Sequence, residues 1–147
     1  MDYNIQIPKT VIAEIDRSLE WYESKEEGLA DKLQNELKSK INRIKENPKL
    51  FKEVGTNHRR AVLGSSFPFT VHYLINDRTK TVKIIGVFHQ SQNLELVKEK
   101  IQIRKIHELK QEKDRRLIQR QNQLKQLRQK QELEKDIGQE RDRGLER

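Results

Sequence analysis

The 147-residue chain contains no cysteine, so no disulfide can brace it and no thiolate can bind a metal or attack a substrate. No glycine-rich phosphate loop, nucleophile elbow, zinc spacing or kinase-type signature occurs in it either. No apolar run approaches the ~18 residues that a membrane-spanning helix needs. The opening MDYNIQIPK has no basic stretch followed by an apolar one, so a secretory leader is not expected. These absences imply a reduced, soluble, cytoplasmic protein with no metal and no cofactor. Apolar residues are themselves scarce, at 33% against 37% charged. Ordinary domains hold roughly 45–50% and about 25% respectively, so this chain cannot be globular throughout.

The scarcity is uneven. Residues 1–97 hold 15 Lys/Arg and 13 Asp/Glu, every aromatic residue and all three prolines. Residues 98–147 hold 16 Lys/Arg and 10 Asp/Glu with no aromatic side chain. The core therefore belongs to the first two thirds, and most of the positive excess to the rest. Such an excess suits an acidic partner, nucleic acid or protein.

Along the first part, Tyr3, Ile5 and Ile7 alternate with polar residues as in a half-buried strand, which Pro8 stops. Thr10 is then a plausible N-cap for an amphipathic helix carrying Ile12, Ile15, Leu19 and Tyr22. After Gly28 a second helix aligns Leu29, Leu33, Leu37, Ile41 and Ile44, ending before Pro48. So short a link makes the two helices an antiparallel hairpin. Beyond Pro48 the period becomes two. Residues 59–64 alternate, Phe67 to Ile75 is the clearest strand, residues 76–80 form a turn, and Thr81 to His89 is its partner. Pairing Asn76 with Thr81 sets Phe69 opposite Phe88, Val71 opposite Gly86, Tyr73 opposite Ile84 and Ile75 opposite Val82. In that register Thr70, His72 and His89 share the face away from the helices. A slip of one residue would exchange the two faces. The fold class expected is α+β: a helix hairpin on a small antiparallel sheet in the order β-α-α-β-β-β, followed by a long charged helix.

That last helix has strong helix formers throughout and no breaker before Gly138, after which it is expected to fray. A division at 1–95 and 96–147 follows, with the first two turns (Leu94, Val97, Ile101) available to pack on the domain. Ile103, Ile106, Leu117, Leu124 and Leu127 fall on heptad a/d positions, but Lys110, Lys113, Arg120, Gln131 and Glu134 occupy the others. This makes a poor seam for self-pairing. Glu108 and Glu112 repel at one turn's spacing.

Among candidate groups, His72 and His89 could move protons near neutrality but lack a third ligand for a metal. His58 and His107 have no partner in sequence and receive no role. Arg59 and Arg60 point to opposite faces, so at most one can join the histidines and grip a phosphate or a partner's carboxylate. Glu26 and Glu27 read as a solvated helix end. Trp21 and Tyr22 read as packing residues at the hairpin's end.

The segments WYESKEEGL (21–29), NPKLF (47–51), RRAVL (59–63), FPFTVHYLI (67–75) and VFHQSQN (87–93), in this order, resemble the RelE/ParE superfamily of bacterial toxins, specifically its ParE-like branch. The matching positions are Trp21, Tyr22, Gly28, Leu29, Pro48, Arg60, Phe67, Pro68, Tyr73 and His89. The resemblance implies a type II toxin held inactive by a cognate antitoxin, with Trp21, Tyr22, Phe67, Phe69 and Tyr73 as framework. ParE-like members inhibit DNA gyrase; RelE-like members cut mRNA on the ribosome with several Arg/Lys and a Tyr, or with a Glu and a His. Here Thr70 stands where relatives often carry arginine, and Gln92-Asn93-Leu94 replaces an arginine followed by Asn-Pro. Both losses remove positive charge that a pentavalent phosphate would require. The preferred expectation is a toxin that binds its target, with Arg59, Thr70 and His72 meeting target or antitoxin. The alternatives are a ribonuclease using His89 and Arg60, and an inactive interaction module. The tail, outside the family's usual length, is a candidate for nucleic-acid contact or self-association.

Overall fold

A computed structural model describes residues 2–64 and 66–145. The elements are β1 (Asn4–Gln6), α1 (Lys9–Lys25), α2 (Leu29–Glu46), β2 (Lys52–Gly55), β3 (His58–Val62), β4 (Phe69–Asn76), β5 (Thr81–His89) and α3 (Leu94–Leu145). The α+β class, the helix hairpin and the long terminal helix are as expected. One compact unit runs to Arg104 and a second begins at Lys105. The first eleven residues of α3 thus belong to the first unit, beyond the boundary expected at residue 95. Val97 and Ile101 are half-buried there, whereas Leu94 is exposed.

Two helical details differ from expectation. Pro8, not Thr10, precedes the first turn of α1, and its carbonyl accepts from the Ile12 amide at 3.0 Å. The buried stripe of α1 begins at Val11 and passes through Ile15, Leu19 and Tyr22, leaving Ile12 exposed. Both residues are apolar and adjacent, so spacing alone could not choose between them. Gly28 holds φ at 88°, a left-handed value open to glycine, and so turns the chain into α2. The Glu23 carboxylate accepts from the Gly28 and Ala30 amides at 3.0 Å each, which satisfies donors at the start of α2 from the end of α1. Leu33, Leu37 and Ile44 of α2 enter the core.

The sheet has five strands in the order β1-β5-β4-β3-β2. It is mixed, because β1 lies parallel to β5 while the other pairs are antiparallel. β2 is the unforeseen strand. It turns into β3 at Thr56-Asn57, where Asn57 takes φ 55°. The Asn76 side-chain oxygen accepts from the Arg78 and Thr79 amides and folds the β4–β5 turn. Next to that turn the register is the expected one, with Tyr73 opposite Ile84 and Ile75 opposite Val82. Between His72 and Tyr73 it shifts: His72 faces Gly86, Val71 faces Val87, Thr70 faces Phe88 and Phe69 faces His89. Ile85 is the extra residue of a β-bulge in β5.

The core lies between the helix hairpin and the face carrying Ala61, Phe69, Val71, Tyr73, Ile75, Val82, Ile84 and Val87. Tyr73 is fully buried, and its hydroxyl donates to the Pro48 carbonyl at 2.6 Å, which ties the end of α2 beneath the sheet. In the second unit, α3 is helical through Gly138 as far as Leu145. Glu108 and Glu112 are accommodated by Arg115 at 3.1 Å and Arg116 at 2.9 Å, so the like-charge pair does not disrupt the helix. Among the described residues no helix is long and apolar enough to cross a membrane.

Candidate functional site

The bulge at Ile85 decides which side chains can meet. Upstream of it, alternate residues of β5 face the helices in step with β4. Downstream the phase is reversed relative to the expected register. Val87 joins the core, and His89 packs edge-on to Phe69 with ring centroids 5.0 Å apart. Phe88 moves to the other face, 5.8 Å from the His72 ring. The sequence reading that put His72 and His89 on one face is therefore corrected: they occupy opposite faces. Arg60 pairs across the strands with His72, so it too is separated from His89 by the sheet.

On the helix side a cavity of about 430 Å³ opens at the His89 end. Glu14, Arg17, Ser18, Trp21 and Tyr22 line it from α1. Phe69, Val87 and His89 form its floor, while Ser91, Gln92 and Lys100 close the far side. Trp21, expected to pack in the core, is 56% exposed on the rim. The buried stripe of α1 includes Tyr22, and the next position around the helix turns away from it. Trp21 meets Tyr22 edge-to-face at 4.9 Å, and the Lys25 ammonium sits 5.1 Å from its ring centroid. Tyr22 continues the aromatic contact to Phe67 and Phe69, which are buried. Burial raises the Tyr22 phenol above its ordinary value, so this ring stays neutral at physiological pH.

The turn after β5 fixes His89. The Ser91 amide donates to His89 Nδ1 at 3.0 Å, so that nitrogen carries a lone pair and the ring proton sits on Nε2. Gln92 Oε1 accepts from the His89 amide at 2.7 Å. The glutamine that replaces an expected arginine is thus the clasp of the turn. Arg17 and Lys100 supply the cavity's positive charge. Its carboxylate, Glu14, forms an ion pair with Arg104, whose other nitrogen donates to the Ile85 carbonyl at 2.8 Å. Because β1 pairs with β5 only through Lys83, this part of β5 has an open edge that Arg104 covers.

The other face carries His58, Arg60, Thr70 and His72. His58, to which sequence gave no role, is buried, and its Nε2 lies 3.0 Å from His72 Nδ1. Arg60 is exposed and Thr70 half-buried. Arg59 projects toward the helix side, donating to the Lys49 and Phe51 carbonyls at 3.0 and 2.8 Å, with Glu53 at 3.9 Å. Its guanidinium is engaged in holding the loop after α2. Among the described residues no group of three or more His, Asp or Glu could hold a metal ion. Sequence reasoning missed Arg17, Ser18 and Lys100 at the cavity. For the first two a signal existed, since positions 14, 17, 18 and 21 share one face at helical spacing.

Residues 5–94 match the family model described as the ParE toxin of type II toxin–antitoxin systems, parDE. The toxin in the crystal structure of the intact Escherichia coli RelBE toxin–antitoxin complex is 19% identical, over 61% of this chain and 99% of that one, with a TM-score of 0.48. Isolated E. coli RelE is 14% identical over 69% and 98%, with a TM-score of 0.47. The archaeal RelE–RelB complex from Pyrococcus horikoshii gives 18% identity over 63% and 100%, with a TM-score of 0.43. No curated protein sequence matches the chain.

Proposed function

The chain belongs to the ParE toxin family of type II toxin–antitoxin systems, and on that premise we propose that it arrests growth by binding a cellular target rather than by cutting RNA. DNA gyrase is the first target to test, and a cognate antitoxin neutralises the toxin by covering its working surface. One observation carries this reading: Arg60 and His89, the cation and imidazole a nuclease would bring to one phosphate, project from opposite faces of the sheet. Phosphoryl transfer needs such groups positioned together around the reacting phosphorus. Thr70 adds no charge, and Gln92 is engaged within its own turn.

The working surface proposed is the cavity rimmed by Trp21. Trp21, Tyr22 and Arg17 on one cavity are the residue types enriched at protein-binding hot spots. Truncating such an anchor costs about 2 kcal/mol or more, a loss of roughly 30-fold in affinity. Purified protein is expected to inhibit gyrase supercoiling, with Trp21→Ala weakening inhibition by about that factor while its thermal unfolding is unchanged. Full potency in Trp21→Ala would remove the cavity from the target surface. A ribonuclease reading retains one observation in its favour, since Arg17, Lys100 and His89 line the same cavity. Primer extension on translated mRNA separates the two readings, because new 5′ ends that vanish in His89→Ala would establish cleavage.

A further inference from the structure

The family match stops at residue 94, so the second unit is unassigned by it. Within that unit, positions 106, 110, 113, 117, 120, 124 and 127 of α3 recur at alternating intervals of four and three. This is the 3.5-residue period of a coiled-coil seam, and it runs for about 32 Å at 1.5 Å per residue. Ile106, Leu117, Leu124 and Leu127 supply the apolar positions; Lys110, Lys113 and Arg120 supply the others. All seven side chains are exposed.

A second copy of the chain is a poor occupant for this seam. Parallel, in-register pairing sets Lys110, Lys113 and Arg120 each against its own copy. Antiparallel pairing opposes alternate members of the seam: centred at residue 115 it sets Lys110 against Arg120 twice, and moved by half a heptad toward the C-terminus it sets each cation against a leucine with no counter-charge. Like charges repel in the first two arrangements, and unpaired charges are buried in the third. The flanking positions have the same bias. Arg116, Arg128 and Lys130 border the seam against one acid, Asp114, and such flanks select a partner by charge. Over residues 105–131 the helix holds nine Lys/Arg and three Asp/Glu. Glu108 and Glu112 lie off the seam and its flanks, and they pair with Arg115 and Arg116 along the helix. Nucleic acid would engage the cations and leave four aliphatic side chains in water. The unit also has no Phe, Tyr or Trp on which a base could stack.

We propose that the seam from Ile106 to Leu127 docks an acidic amphipathic helix of a protein partner, with aliphatic residues opposite Ile106, Leu117, Leu124 and Leu127 and carboxylates opposite Lys110, Lys113 and Arg120. Such a partner buries the stripe and matches each cation, which neither a second copy nor a phosphate backbone does.

The test uses the full chain and three labelled probes in fluorescence anisotropy at physiological salt. The probes are a synthetic heptad peptide with Glu opposite those cations, its Lys-for-Glu counterpart, and a mixed-sequence DNA duplex. Two variants carry the same charge change: Lys113→Glu with Arg120→Glu on the seam, and Arg115→Glu with Lys125→Glu on the outer face. The acidic peptide is expected to bind the native chain and to lose about tenfold or more in affinity on the seam variant. It should keep its affinity within about threefold on the outer variant. The Lys peptide should bind the seam variant better than the native chain, a rescue that loss of helix could not produce. Equal losses on both variants, failure of the rescue, or tighter binding of duplex DNA than of the acidic peptide would overturn the proposal. So would a native chain that sediments as a dimer and excludes the peptide.

Discussion

Replacing Tyr73 with phenylalanine removes one oxygen atom from the centre of the fold. The ring is fully buried, and its hydroxyl donates to the Pro48 carbonyl at 2.6 Å in a buried contact. Phenylalanine fills the same space, so packing is retained while a buried carbonyl loses its donor. An unsatisfied group of this kind costs about 1–3 kcal/mol. A domain of this size loses roughly 4–8 °C in Tm per kcal/mol, so the variant is expected to melt about 4–24 °C lower at pH 7. The pH dependence supplies a second readout. Burial pushes the Tyr73 phenol up to about 12, although the positive charge of Arg59 pulls it down. In the unfolded chain the same group ionises near 10. Its contribution is therefore complete below pH 10 and is lost as pH rises through 12. Native protein should lose stability more steeply across that window than Tyr73→Phe, measured by circular dichroism melts at matched pH. A variant that melts within 2 °C of native (well below the ~4 °C expected per kcal/mol) and with the same alkaline slope would refute the buried hydrogen bond.

Two further perturbations test the local geometry. A Cβ on Gly86 would overlap the ring of Phe88, which is buried and has little room to turn. Gly86→Ala is expected to cost about 1–3 kcal/mol by urea denaturation, and an unchanged midpoint would argue against the bulged register. Glu23 is held below the ordinary carboxylate range by the Gly28 and Ala30 amides. Its stabilising contribution is present above the unfolded value and is lost as pH falls through the lowered folded one. Glu23→Gln should therefore show a shallower loss of stability between pH 5 and 3 than native protein, and identical acid limbs would exclude the cap.

The sequence exposed the hairpin at Asn76–Thr81 because β4 alternates strictly, with Phe69, Val71, Tyr73 and Ile75 inward. β5 offered no such guide. Ile84, Ile85, Val87 and Phe88 are all buried, two on each side of Gly86, so its pattern is apolar on both faces and a bulge leaves no trace in it. That one residue reassigned His89. β2 was hidden because Lys52-Glu53-Val54-Gly55 is short, polar and at the sheet edge, where pairing rather than burial defines the strand. His58 illustrates a further limit. Its neighbours in sequence are polar, and only the pairing of β3 with β4 brings it to His72. The family segments, by contrast, coincide with framework residues such as Phe67 and Tyr73, whose burial is dictated by local pattern.

Primer extension on mRNA from cells arrested by the intact chain is the most direct test of action by binding. The expected result is growth arrest with full-length transcripts and no new 5′ ends within coding regions. Ribosome-dependent breaks that disappear in His89→Ala would contradict it, since they would make the imidazole and the cations Arg17 and Lys100 of its cavity a cleavage site.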